Sequence, residues 1–187
     1  MHSQIDNWLE RIDEITASFR ASFGPLSERQ LNWKPSAQIW SVAENMEHLI
    51  VVNESYYQIL DDARENRLHL PFLARFNFIT KMLGGFILKS VQPDRRKKVK
   101  TFPIWEPARS KITEGIMELF NEHQEKLKNI IKQNRDLIEK DIIIYSPANK
   151  HIVYPLSTAI EIMVTHEMRH YNQAREAMAM QAKQLQF

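Results

Sequence analysis

Apolar residues recur at the helical period along four long stretches of this chain, and that periodicity limits the fold more than any other feature. Ile5, Trp8, Leu9, Ile12, Ile15, Phe19 and Phe23 form one stripe, which predicts an amphipathic helix from about Gln4 to Phe23. Gly24-Pro25 ends it. A turn at Ser27 to Gln30 and the irregular stretch LNWKPSAQIW come next. A second helix opens at Ser41, where Ser41 and Glu44 have the spacing of a capping box, and is predicted to run to about Asn66. Pro107 opens a third, with Ile112, Ile116, Leu119, Phe120, His123, Leu127, Ile130 and Ile131 as its stripe. The fourth is predicted from Thr158, capped by Glu161, to about Ala182. Asp141 to Tyr145 and Ile152 to Tyr154 read as two short extended runs. Only 4 glycines occur in 187 residues, too few for the tight turns of a many-stranded sandwich or barrel. The expectation is an all-α, four-helix bundle formed by one domain over residues 1–187.

Composition closes off several functions. Cysteine is absent, which excludes disulfides, cysteine zinc sites, iron–sulfur clusters and cysteine nucleophiles and is compatible with a cytoplasmic location. Lys and Arg total 25 against 23 for Asp and Glu, a net charge of +2. That balance, without a recognition motif, argues against a nucleic-acid binder. The N-terminal MHSQIDNWLERIDE lacks the basic and apolar regions of a secretory signal. Leu68 to Val91 is apolar, but Arg75, Lys81 and Lys89 interrupt it, so no membrane span is expected. Between Pro71 and Gln92 the chain is expected to be partly helical, with Gly84-Gly85 as a weak point. Its many large apolar residues, Phe72, Leu73, Phe76, Phe78, Ile79, Met82, Leu83, Phe86 and Ile87, exceed what one helix face buries. Such a surplus marks a partner surface, and a homodimer is the expectation.

Histidine carries the chemistry. His166 and His170 are four apart on the fourth helix and so lie about 40° apart around it. Ala159, Met163, Gln173, Ala174 and Ala177 share their face, which makes the pair inward-facing beside small residues. His48 on the second helix shares a half-polar face with Glu44, Asn45, Val52 and Ser55. Three imidazoles from two helices suit Zn, Ni or Fe as a divalent ion and leave coordination positions open. His123 falls on an apolar stripe and reads as a hydrogen-bonded core histidine. Residues His166-Glu167-Met168-Arg169-His170 also match H-E-x-x-H, in which Glu167 would be the general base of a zinc peptidase. Glu167 turns about 100° away from His166, and no histidine follows His170, so the peptidase reading is set aside. Glu44 reads as a capping carboxylate or a partner of the histidines, and Gln173 as a residue orienting a ligand or a structural hydrogen-bonder. Arg95, Arg96, Lys97, Lys98 and Lys100 form a basic loop, either solvated or attracting an anionic small molecule.

Two phrases suggest a relationship. Leu31-Asn32-Trp33-Lys34-Pro35 with Trp40-Ser41-Val42-Ala43-Glu44-Asn45-Met46-Glu47-His48-Leu49, and His166-Glu167-Met168-Arg169-His170-Tyr171-Asn172-Gln173, resemble the DinB-like superfamily in order and spacing over nearly the whole chain. The resemblance implies an up-down-down-up four-helix bundle with a long link, Pro71 to Glu106, between helices two and three. It also implies a divalent metal on His48, His166 and His170, and commonly a homodimer. Relatives include bacillithiol transferases and mycothiol-dependent maleylpyruvate isomerase, in which the metal activates a low-molecular-weight thiol. The leading expectation is thus a metal-dependent thiol S-transferase acting on small molecules. A metal-dependent hydrolase and a non-catalytic dimeric stress or ligand-binding protein are the alternatives.

Overall fold

The computed structural model describes residues 3–94, 101–107 and 114–184. Helix α1 spans Gln4–Phe23, and the Ser3 hydroxyl and Asp6 carboxylate cap its first turn reciprocally. Its stripe is buried throughout, apart from a half-buried Leu9. After a one-turn α2 (Glu28–Leu31), helix α3 runs from Val42 to Glu54 behind the expected Ser41–Glu44 capping box. The expected single helix to Asn66 is two: α4 covers Tyr57–Arg64. The break falls at Ser55, whose hydroxyl turns back to the carbonyl of Val52 at 2.5 Å, a local bond that competes with helical continuation.

The link carries more structure than a loop. A one-turn 3-10 helix, Phe72–Arg75, leads into α5, Asn77–Ser90. Helix α5 runs unbroken through Gly84-Gly85, where a weak point was expected. A Cβ on Gly84 would stand 2.8 Å from Thr158 and 2.9 Å from Tyr154, so glycine lets α5 lie close against its neighbours. A second 3-10 turn, Pro103–Trp105, follows.

Helix α6 is Ile116–Gln133; the expected first turns after Pro107, with Ile112 of the stripe, lie outside the described residues. Gly115, in the left-handed region at φ 63°, precedes it. Leu119, expected on the buried stripe, is exposed, while Phe120, His123 and Leu127 are buried. A short α7, Arg135–Glu139, leads to an antiparallel hairpin of β1 (Ile143–Ser146) and β2 (Asn149–Pro155), where the two extended runs were expected. Helix α8 then spans Leu156–Gln184. It starts two residues before the expected cap. Glu161 takes no part in a Thr158 capping box: it accepts hydrogen bonds from the Trp8 indole at 2.7 Å and the Arg11 guanidinium at 2.8 Å, tying α8 to α1.

Helices α1, α3, α6 and α8 contact one another in a closed ring: α1 with α8, α8 with α3, α3 with α6, and α6 with α1. Their apolar faces form one cluster with Trp8, Phe19, Phe23, Met46, Leu49 and Phe120 fully buried. Helix α5 lies outside this ring against β2 and α8. Among the described residues no helix is long and apolar enough to cross a membrane.

Candidate metal centre

The structure brings His48, His166 and His170 together. One ring nitrogen from each lies within 4.8 Å of the others. The ring centroids are 4.4 Å apart for His166 and His170, 4.6 Å for His48 and His170, and 5.1 Å for His48 and His166. The reason is local. The spacing of four sets two rings on consecutive turns of α8, and the α3–α8 contact presents His48 to them. Trp40 stacks on His170 at 5.7 Å and 23°.

Hydrogen bonds fix which nitrogen faces inward. His48 Nδ1 lies 2.7 Å from the carbonyl oxygen of Trp105. A carbonyl only accepts, so Nδ1 carries the hydrogen and Nε2 keeps its lone pair. His170 Nδ1 lies 2.7 Å from Asn45 Oδ1, and the Asn45 amide donates to the Ser41 carbonyl at 2.8 Å. Nδ1–H therefore donates to Oδ1 in this pair as well, leaving His170 Nε2 with a lone pair. That nitrogen faces His166 Nε2 at 2.9 Å. Two imidazole nitrogens at that distance need a proton or a cation between them. A divalent ion takes such lone pairs, and a partner on each remote ring N–H is the usual support of a ligating histidine. The donor set fits.

Electrostatics favour neutral rings. Burial lowers His48 to about 4, against a smaller opposing effect of the Trp105 carbonyl. His166 and His170 lie well below the usual range, through burial first and then their imidazole neighbours and Arg169. Neutral imidazole is the form that binds metals.

Other expected residues take other places. Glu44 closes the capping box with the Ser41 N–H at 2.9 Å and pairs with Lys34 at 2.6 Å; its capping reading holds, and it lines the same cleft. Gln173 also lines it. Ser55 bonds the Val52 carbonyl and accepts from the Trp105 indole at 3.2 Å. The basic residues Arg95 to Lys98 and Lys100 lie outside the described residues. Beside the histidines the cleft is walled by Trp40, Val52, Phe86, Phe102, Trp105 and Ile162.

Glu167 belongs to a different cluster. It is 0 % exposed, and its two carboxylate oxygens accept from Asn53 Nδ2 at 2.8 Å and Gln124 Nε2 at 2.9 Å. Asn53 Nδ2 also lies 3.2 Å from His123 Nε2. Burial pushes the Glu167 carboxyl up to about 7, against the lowering effect of those two amides. The same burial lowers His123 to about 4, and His123 is the hydrogen-bonded core residue that its stripe position suggests. The only sequence signal of this network was that Asn53 and Gln124 each have apolar residues one helical turn to either side, Leu49 and Tyr56 for the first, Phe120 and Leu127 for the second. The Trp105 carbonyl left no signal, because a backbone acceptor is independent of residue type.

A family model described as the DinB superfamily matches residues 11–174. No curated protein and no solved structure matches the chain.

Proposed function

The chain belongs to the DinB superfamily, and from that premise we propose that His48, His166 and His170 hold one divalent ion for a metal-dependent thiol S-transferase acting on small molecules. The observation that carries the reading is the pair of anchored rings. His48 and His170 each commit Nδ1–H to a fixed oxygen, at 2.7 Å in both cases, and so turn Nε2 toward a common point with His166. When bound, Zn, Ni or Fe at that point lowers the pKa of a thiol or water and supplies a nucleophile at neutral pH. The residues of the chain do the rest. Asn45 and the Trp105 carbonyl hold the imidazoles in one tautomer, and Trp40, Phe86, Phe102 and Trp105 wall a cleft where a small molecule sits beside them. The word thiol rests on family likeness; the same centre with water in place of thiol is a hydrolase.

The scaffold in this reading is a single-domain, up-down-down-up four-helix bundle of α1, α3, α6 and α8. The closed ring of contacts among those helices supports it. The chain works as a homodimer, with α5 in the contact. Phe72, Phe78, Met82 and Phe86 stand 58–69 % exposed along and beside that helix, an apolar ridge of the kind that marks an interface.

The test is reconstitution with Zn, Ni or Fe(II), followed by a conjugation screen pairing low-molecular-weight thiols with small electrophiles. Ion-dependent conjugation supports the transferase. Ion-dependent hydrolysis without thiol turnover selects the hydrolase, and ion binding with neither activity leaves a non-catalytic dimeric protein.

A further inference from the structure

We propose that Trp105 is a positioning residue: from the link between α5 and α6 it grips α3 at two points and so sets the His48 imidazole. The inference rests on the metal reading above. The first grip is its backbone carbonyl, which accepts from His48 Nδ1–H at 2.7 Å. The second is its side chain, whose indole N–H donates to Ser55 Oγ at 3.2 Å. His48 and Ser55 are seven residues apart, two turns along one face of α3 and its cap. One residue thus bridges about 10 Å of helix. The carbonyl is further held by its own turn. The Trp105 N–H donates to the Phe102 carbonyl at 2.9 Å, and the Phe102 ring meets the indole edge-on at 5.6 Å.

Each element of this clasp has a consequence for the imidazole. A lone imidazole exchanges its proton between two nitrogens and flips about its ring axis. A carbonyl in a fixed place ends both freedoms and leaves Nε2 as the ligating atom. Because the oxygen is main chain, substitution of Trp105 does not delete it. What the side chain supplies is its location, through the bond to Ser55. The Ser55 hydroxyl in turn is oriented by donating to the Val52 carbonyl at 2.5 Å. The link is therefore part of the centre, although it contributes no ligand.

Trp105→Phe removes the indole N–H and keeps an aromatic ring, and Ser55→Ala removes the partner hydroxyl at a helix end that tolerates alanine. Two readouts follow in full-length protein. In the metal-free state, imidazole nitrogen NMR is expected to show His48 as the Nδ1–H tautomer in wild type and a mixture in both variants. In Co(II) titration, both variants are expected to bind about 10-fold more weakly, the low end for loss of a partner behind a ligand, with altered d–d absorption. Leu119→Ala, exposed on α6, should leave both readouts unchanged. Wild type with His48 as the Nε2–H tautomer, or cobalt affinity in both variants within two-fold of a cobalt-binding wild type, overturns the inference alone. Wild type that takes up no cobalt overturns the metal reading and this inference with it. If Trp105→Phe fails to fold, Ser55→Ala decides.

Discussion

Replacing Glu167 by Gln separates two chemistries that one stretch of α8 can encode. If Glu167 were the general base of an H-E-x-x-H enzyme, its loss would cost about 10²–10⁴-fold in rate. The structure argues otherwise. Both oxygens are committed, to Asn53 at 2.8 Å and Gln124 at 2.9 Å, and these partners sit with His123 on α3 and α6, away from the cluster of His48, His166 and His170. Asn53 lies five residues beyond His48, roughly 140° around α3 from it. Gln presents an NH₂ where one oxygen was, setting donor against donor at one contact, a mismatch worth about 1–3 kcal/mol if nothing adjusts. Adjustment is available: Asn53 Oδ1 and Gln124 Oε1 are both buried without a hydrogen-bond partner. Turning one amide supplies the missing acceptor, and the expected loss of stability falls to about 1 kcal/mol. Urea denaturation reads that cost, while zinc competition and conjugation rates should stay within about 3-fold of wild type, far short of a lost base. Metal-dependent peptide cleavage by wild type, abolished in Glu167→Gln with the ion still bound, would refute the reasoning.

Three further outcomes are expected. His123, lowered by burial from 6.5 to about 4, stays neutral when folded and takes a proton when unfolded. Its stabilising contribution is full above about 6.5 and is lost as pH falls toward 4, roughly 2 kcal/mol by pH 5. In urea denaturation of metal-free protein His123→Gln should lack that share of the acid dependence, and parallel pH profiles would contradict this. Chelation should lower the melting temperature by the linkage of ion binding to folding and leave a helical apo-protein; loss of helical circular dichroism on chelation at room temperature would show that the ion is needed to fold. In light scattering at micromolar concentration wild type should be a dimer and Phe78→Asp, with its ring 69 % exposed on α5, a monomer; monomeric wild type would reject the interface.

What could be read from the sequence was what depends on period. The inward faces of α1 and α8 follow from spacing alone, and so did the pairing of His166 with His170; His48 was singled out by the half-polar face it occupies on α3 and by the family resemblance. What could not be read depends on partners distant in sequence. Glu161 has the spacing of a cap three residues after Thr158, but Trp8 and Arg11 claim its carboxylate. Gly84 looked like a weak point until Thr158 and Tyr154 explained the missing side chain. The break after α3 carries no proline or glycine, only a serine that bonds backward. Leu119 matched the period of α6 and is exposed all the same, because a stripe does not state how wide the covering neighbours are. The tautomer of His48 rests on a main-chain oxygen 57 residues away, which no pattern of side chains announces.

The central claim is that three named imidazoles hold one divalent ion, and elemental analysis of reconstituted protein tests it most directly. Wild type, His48→Ala, His166→Ala, His170→Ala, and the exposed-histidine controls His69→Ala and His151→Ala are loaded with zinc, desalted and assayed for metal per chain. The account predicts one ion per chain in wild type and in both controls, and substoichiometric metal in each of the other three. Full occupancy in all three cluster variants, or loss in the controls, would contradict it.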